Sequence, residues 1–359
     1  KRQILGVVFT IIGIAMTPLM LNLMETPDSV RPEATQYLII YFSGIISLML
    51  YNMGSGILRA IGDSQRPFYF LVVSALTNVV LDLVFVLVFK MGVSGVAIAT
   101  VIAQTLSAAL VLIVLLRAKN CCRLSLKKLR IHRSMFAKIL KVGIPAALQM
   151  AVTAFSNVFV QSYINSFGED CMGGWTAYVK IDQFLFLPMQ SISLAVTTFV
   201  GQNLGAGLLD RVKKGMHSAT WIALLTSVVI TVFVLIFGKY GIALFISGTA
   251  EEVSISSQVA IHYLNIMSIC LSILYMLHIY RSALMGLGDT IMPMASGIME
   301  FLMRIGVALF LPLIIGQEGI FYAEVTAWAG AAILLVTTYF LRMHKLTREL
   351  DTSQSKAGE

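Results

Sequence analysis

Asn78 and Asp82 stand four residues apart inside an apolar run that extends from Pro67 to Lys90. Side chains spaced by four lie on one face of a helix, so an amide and a carboxyl group point the same way. The run is long enough to cross a bilayer, which takes about 20 apolar residues. An acid at that depth costs roughly 2.5–3.5 kcal/mol on insertion scales. Intramembrane acids mark ion or proton pathways, because a proton or a small cation can neutralise a buried carboxylate. The bland alternative is a hydrogen-bonded polar pair that fixes helix packing. The ion-handling reading is preferred.

A second polar set lies later in the chain. Glu300 and Arg304 are also four apart within an apolar segment, and Glu324 follows in the next one. The two sets belong to an internal repeat. Leu58, Gly62, Asp63 and Pro67 recur as Leu284, Gly288, Asp289 and Pro293, each 226 positions later, and Tyr37-Leu38 recurs as Tyr263-Leu264 at the same offset. Gly95 recurs as Gly319 after a two-residue deletion. Arg304 therefore falls opposite Asn78, and Glu324 opposite Thr100. The second copy reads as a Glu–Arg–Glu cluster, a structural ion pair, where the first copy carries Asn, Asp and Thr. A buried arginine needs such a partner. Lys180 and Asp182 read equally well as cavity lining or as an interfacial pair with the lysine snorkelling.

The elements that must position these residues are apolar helices. Ten segments stand out, at about 5–24, 36–58, 67–90, 93–116, 140–163, 174–200, 217–238, 258–280, 293–315 and 319–341. Their lengths suit helices rather than the short alternating strands of a barrel. With 58% hydrophobic and 12% charged residues, the chain departs from soluble composition, where about 25% of residues are charged. The net charge of +8 admits a nucleic-acid partner on paper. The basic residues, however, fall on alternate loops, including Arg59, Arg66, Arg117, Lys127, Lys128, Arg211, Arg281, Arg342 and Arg348. The acids Glu25, Asp28, Glu169, Asp170, Glu251 and Glu252 fall on the others. That is the pattern of a multi-pass membrane protein whose basic loops are cytoplasmic, and it argues against nucleic acid. The 118–139 stretch and the C-terminus are then cytoplasmic.

Six helices separate the matched segments, so the copies run in the same direction, related by an axis along the membrane normal. The chain divides into a first lobe (1–117), a connector (118–139), a six-helix second lobe (140–343) and a tail (344–359). Four helices precede the connector and six follow it. The repeat therefore predicts two more helices ahead of Lys1, twelve in all. Among other motifs, Gly62-Asp63 and Gly288-Asp289 followed by proline read as tight turns between helices. The glycine-rich Gly201–Gly207 stretch lacks the Lys-Ser/Thr of a phosphate loop. Pro145 and Pro188 permit helix bends. The four cysteines form no metal or disulfide framework, and no HExxH, GxSG or paired catalytic aspartates occur, so an enzyme is not expected.

Taken together, the two six-helix halves, Gly62-Asp63 with Pro67, Asn78-x-x-x-Asp82, Pro145 and Gly201-Gln202-Asn203-x-Gly205-Ala206 resemble the MATE multidrug and toxic-compound extrusion transporters, especially the bacterial DinF-like branch. The resemblance covers nearly the whole chain. It implies two pseudo-symmetric bundles in an all-α polytopic membrane fold, with a cavity that alternates between outward and inward access. It also implies a first-lobe cation site to which Asn78, Asp82, Thr100 and the nearby Tyr37 correspond. A fourth contributor, an aspartate on the first helix, would precede Lys1. Asp82, Asn78 and Thr100 are accordingly a candidate Na⁺ or H⁺ site. The implied activity is export of small amphipathic, often cationic, organic compounds in exchange for H⁺ or Na⁺. No other cofactor is implied, and the protein is expected as a monomer in the bacterial inner membrane. A lipid-linked oligosaccharide or precursor flippase of the same superfamily is the alternative; an arginine-lined cavity would favour it.

Overall fold

A computed structural model describes residues 2–23, 31–118, 123–125, 132–165, 169–245, 250–315 and 318–357. All of its regular elements are helical: α1 (Arg2–Leu23), α2 (Arg31–Ser43), α3 (Ile45–Ala60), α4 (Gln65–Leu83), α5 (Gly92–Arg117), α6 (Arg133–Asn165), α7 (Glu169–Gly205), α8 (Leu209–Ala243), α9 (Ala250–Ile269), α10 (Leu271–Gly286), α11 (Ile291–Phe310), α12 (Pro312–Ile315) and α13 (Glu318–Ala357). A π-helical turn, Val84–Val88, extends α4. Among the described residues, seven helices are long and apolar enough to cross a membrane, and nine spans result if each of the bent pairs α2–α3 and α9–α10 is one span. The tenth apolar segment is α1, whose described apolar part, Thr10–Leu19, is shorter than a span.

The chain forms two compact units, Lys1–Arg133 and Ser134–Glu359. Helix α6 starts at Arg133, inside the stretch read from sequence as connector, and α13 runs on to Ala357 through the stretch read as tail. Most of the remaining connector, including Cys121 and Cys122, lies outside the described residues.

In the first unit α5 is the common wall, packed against α2, α3 and α4, while α1 packs on α2 and α3. Small residues make that possible. Ala97, Ala99, Ala103 and Ala108 of α5 are buried, and at Gly54 of α3 a side chain would collide with Val111. Lipid tails are as apolar as leucine, so helices in a bilayer associate through such close packing and through interhelical hydrogen bonds. In the second unit α10 occupies the centre, in contact with α7, α8 and α13, and is buried along nearly its whole length from Leu271 to Leu284. Large apolar side chains such as Leu225 and Ile333 are exposed on the outer faces, as a lipid solvent permits.

The repeat is visible in detail. Gly62 and Gly288 both adopt left-handed backbone (φ 89° and 79°), where any side chain would be strained. Behind each glycine the following aspartate N–H closes the same turn, Asp63 to Leu58 O at 3.0 Å and Asp289 to Leu284 O at 2.9 Å. Each aspartate then accepts a backbone N–H from the next helix: Arg66 at 3.2 Å in one copy, Ile291 at 3.2 Å in the other.

The two bent spans are also equivalent. The 41° break falls at Gly44 and the 52° break at Cys270, 226 residues apart. At each break a threonine on a neighbouring helix donates its hydroxyl to the carbonyl two residues earlier: Thr10 to Phe42 O at 3.1 Å and Thr231 to Ser268 O at 2.6 Å. A break frees backbone carbonyls that have no water to turn to in a bilayer, and the threonines satisfy them.

Candidate ion-coupling site

Helix α4 presents Ser74, Asn78 and Asp82 at successive four-residue steps, hence along one face. The first of these fixes the direction of that face. Ser74 donates its hydroxyl to Ala103 O of α5 at 2.6 Å. Since α4 and α5 run antiparallel through the turn between them, one step up α4 from Ser74 is one step back along α5 from Ala103. Asn78 therefore lies level with Thr100, and Asp82 with the first turn of α5. The α2–α3 span runs parallel to α5: Ser47 hydrogen-bonds Thr105 at 2.9 Å, and a side chain at Gly44 would press on Val101. Tyr37, seven residues before Gly44, thus also falls near the first turns of α5. Its ring stacks on Tyr41, with centroids 6.1 Å apart.

The register thus sets Asn78 beside Thr100, with Asp82 and Tyr37 about one helical turn away, near the first turn of α5. Their hydrogen bonding is unequal. Thr100 donates to Val96 O of its own helix at 3.0 Å. Asn78 Nδ2 and Asp82 Oδ1 are buried with no hydrogen-bond partner. An orphaned carboxylate oxygen beside an amide, in an apolar helix, is a place for a proton or a small cation.

The second unit treats its polar side chains differently. Arg304 donates from Nη2 to Glu324 Oε1 at 2.6 Å, and from Nη1 to Ser156 Oγ at 2.9 Å and Asn157 Oδ1 at 3.0 Å. One side chain thereby joins α6, α11 and α13. Glu324 also hydrogen-bonds Trp328. The expected Glu–Arg–Glu cluster needs one correction. Glu300 takes its ion pair from Arg281 of α10, at 2.9 Å, and Arg281 also donates to Ser296 at 3.1 Å. The charge pattern reads Arg281 as a basic loop residue, yet only 6% of it is exposed. Its place one turn from the end of α10 made it look like a loop charge. Its equivalent 226 residues earlier, Ser55, is also fully buried, in α3.

Lys180 is exposed, whereas Asp182 turns inward and hydrogen-bonds Tyr178. Tyr178 packs edge-on against Tyr263 at 4.2 Å, and Trp175 joins them. Sequence reasoning did not find this aromatic group, nor His278. A recess of 470 Å³ runs along α7 and α10, lined by Gln190, Ser193, Thr197, His278 and Ser282 among others. It could hold an organic molecule through hydroxyl and imidazole contacts. Among the described residues no group of three or more His, Cys, Asp and Glu could hold a metal ion.

These features define a class: a polytopic α-helical membrane protein with a duplicated bundle, broken spans, and orphaned polar atoms at membrane depth. The MatE family model matches residues 3–84 and 145–310, and the chain belongs to this family of membrane transporters. It is 35% identical over 243 residues to the probable multidrug resistance protein YpnP of Bacillus subtilis, covering 68% of this chain and 54% of the relative. It is 20% identical over 356 residues to the multidrug export protein MepA of Staphylococcus aureus, covering 99% and 77%. Among solved structures, a MOP-superfamily transporter from Pyrococcus furiosus aligns with a TM-score of 0.90 at 22% identity, covering 96% of this chain and 77% of that one. The chain spans about half the length of curated relatives such as YpnP.

Proposed function

We propose that the protein is a secondary active multidrug efflux antiporter that exports small amphipathic, often cationic, organic compounds in exchange for H⁺ or Na⁺ by alternating access. Membership of a transporter family and relatives named for multidrug resistance and export support the reading. The observation that carries it is the contrast between the units. Glu300 and Glu324 each hold an arginine, while Asp82 Oδ1 has no hydrogen-bond partner. Asp82 is therefore a carboxylate whose charge an incoming ion can cancel.

Loading Asp82 removes a buried charge and changes what the face shared by Ser74, Asn78 and Asp82 can pack against. Only a ligand with different affinity for two states can shift them, and neutralising an orphaned carboxylate provides that difference. For a neutral substrate, one charge crossing 100 mV supplies about 2.3 kcal/mol, which supports a gradient of roughly fiftyfold; exchange of one monovalent cation for another moves no net charge and draws on the ion's concentration gradient alone. The basic ends of the helices face the cytoplasm of the bacterial inner membrane in this reading, and the transporter works as a monomer. The flippase alternative has less to stand on, because Arg281 and Arg304 are both held in ion pairs within the second unit rather than offered to a cavity.

The test is transport by the reconstituted protein under a pH gradient and a Na⁺ gradient imposed separately. A fluorescent organic cation should accumulate against its gradient in response to one of them. Indifference to both would overturn the reading.

A further inference from the structure

At the basic end of the second unit a groove of 640 Å³ opens between α8 and α13, with Tyr280 of α10 in its floor. On α8 it is lined by Lys213, His217 and Thr220, and on α13 by Phe340, His344 and Thr347. Both sets repeat at four and then three residues, so each is a continuous ladder along one helix face. The groove has two unlike ends. Lys213, His344 and Thr347 offer cationic and hydrogen-bonding groups at the end nearest the helix termini. Deeper, Met216, Tyr280, Tyr339 and Met343 are nearly fully buried, and Phe340 is exposed beside them. Tyr280 packs edge-on against Tyr339 at 5.2 Å, and Tyr339 against Phe340 at 5.5 Å.

Among the described residues, no acid lines it. Asp210 sits 3.9 Å from Lys213 but with 92% of its side chain exposed, a loose surface pair that leaves the ammonium available. Trp221 donates its indole N–H to His217 Nε2 at 3.2 Å, which leaves Nδ1 of a neutral His217 as an N–H donor.

We propose that this groove binds an anionic phospholipid, its phosphate between Lys213 and His344 and an acyl chain along Phe340 and the tyrosine floor. A free anion would use only the polar end. A zwitterionic lipid would gain little from a site with an ammonium and, among the described residues, no acid. Basic pockets between spanning helices suit such headgroups. The repeat does not require the groove. The first-unit equivalents of Tyr280 and Tyr339 are Gly54 and Leu115, both buried, and at Gly54 α3 closes directly onto Val111. The second unit alone has the wide aromatic floor.

Trp221, 62% exposed beside His217, is a built-in reporter. The protein is placed in nanodiscs containing brominated phosphatidylglycerol or brominated phosphatidylcholine at equal mole fraction. The Trp221 contribution to quenching is isolated by difference with Trp221→Phe. Phosphatidylglycerol should be favoured about fivefold at the site, the factor one basic side chain near a membrane surface supplies. The Lys213→Gln, His344→Gln double variant, altered only at exposed side chains, should lose that preference. Equal quenching by the two lipids in the unaltered protein overturns the proposal, as does a preference that survives in the double variant. Loss of the preference on adding inorganic phosphate alone would assign the polar end to a free anion and also overturn it.

Discussion

Asn78 and Arg304 occupy the same place in the two copies of the repeat, 226 residues apart. They have opposite surroundings. Asn78 Nδ2 is buried without a partner, while Arg304 is bonded to Ser156, Asn157 and Glu324. A duplicated bundle that keeps its turns and its broken spans has thus diverged at these equivalent positions. One copy pairs Glu300 and Glu324 with arginines, although Nε of Arg281 and Nε of Arg304 stay buried without a hydrogen-bond partner. The other leaves an amide and a carboxylate waiting.

If Arg304 is a structural clamp, removing it should be costly and removing the pair should not. Arg304→Met strands Glu324 in the bundle and is expected to destabilise the protein by about 3–5 kcal/mol, whereas the Arg304→Met, Glu324→Met double variant should recover most of that loss. Thermal unfolding in detergent, read as a double-mutant cycle, checks this. Equal losses in both variants would mean that the pair does not hold α11 to α13.

The turn glycines give a conformational test. Nothing lies within 4 Å of a side chain added at Gly288, so Gly288→Ala meets only the left-handed backbone. It should cost about 1–2 kcal/mol. Gly286→Ala, two residues earlier, puts its methyl 2.8 Å from Val200 and 2.9 Å from the Thr197 carbonyl. It should cost more, because it forces α10 away from α7. Melting temperatures of the two variants rank them.

Much of this was legible in the chain itself. The helices followed from the lengths of apolar runs, because a bilayer core sets the minimum length of a span. The equivalence of the two units followed from glycines and prolines held at a fixed offset, since such residues mark backbone positions that little else can fill. Ion-pair choice was not legible. Glu300 is four residues from Arg304 on the same helix, yet bonds Arg281 on another, and only the rotation of α10 against α11 decides that. The break at Cys270 was equally hidden, for it carries neither proline nor glycine and rests on a hydroxyl from α8. Nor could spacing alone reveal that Asp82 Oδ1 lacks a hydrogen-bond partner, because an orphan is defined by what its neighbours do not offer.

The broken spans make a third prediction. Thr231→Val deletes the hydroxyl that caps the Ser268 carbonyl and should cost about 0.6–1.7 kcal/mol, while Thr231→Ser should cost little. Hydrogen exchange near residues 266–270 should rise in the valine variant alone. Unchanged exchange in that variant would show that the carbonyl is satisfied by another group.

The central claim is that Asp82 couples ion entry to transport, and Asp82→Asn tests it most directly because it keeps shape and removes charge. In proteoliposomes, this variant should bind a fluorescent organic cation with unchanged affinity. It should also lose all gradient-driven accumulation under the coupling gradient that drives the unaltered protein. Accumulation by Asp82→Asn at the unaltered rate under that same gradient would contradict the account.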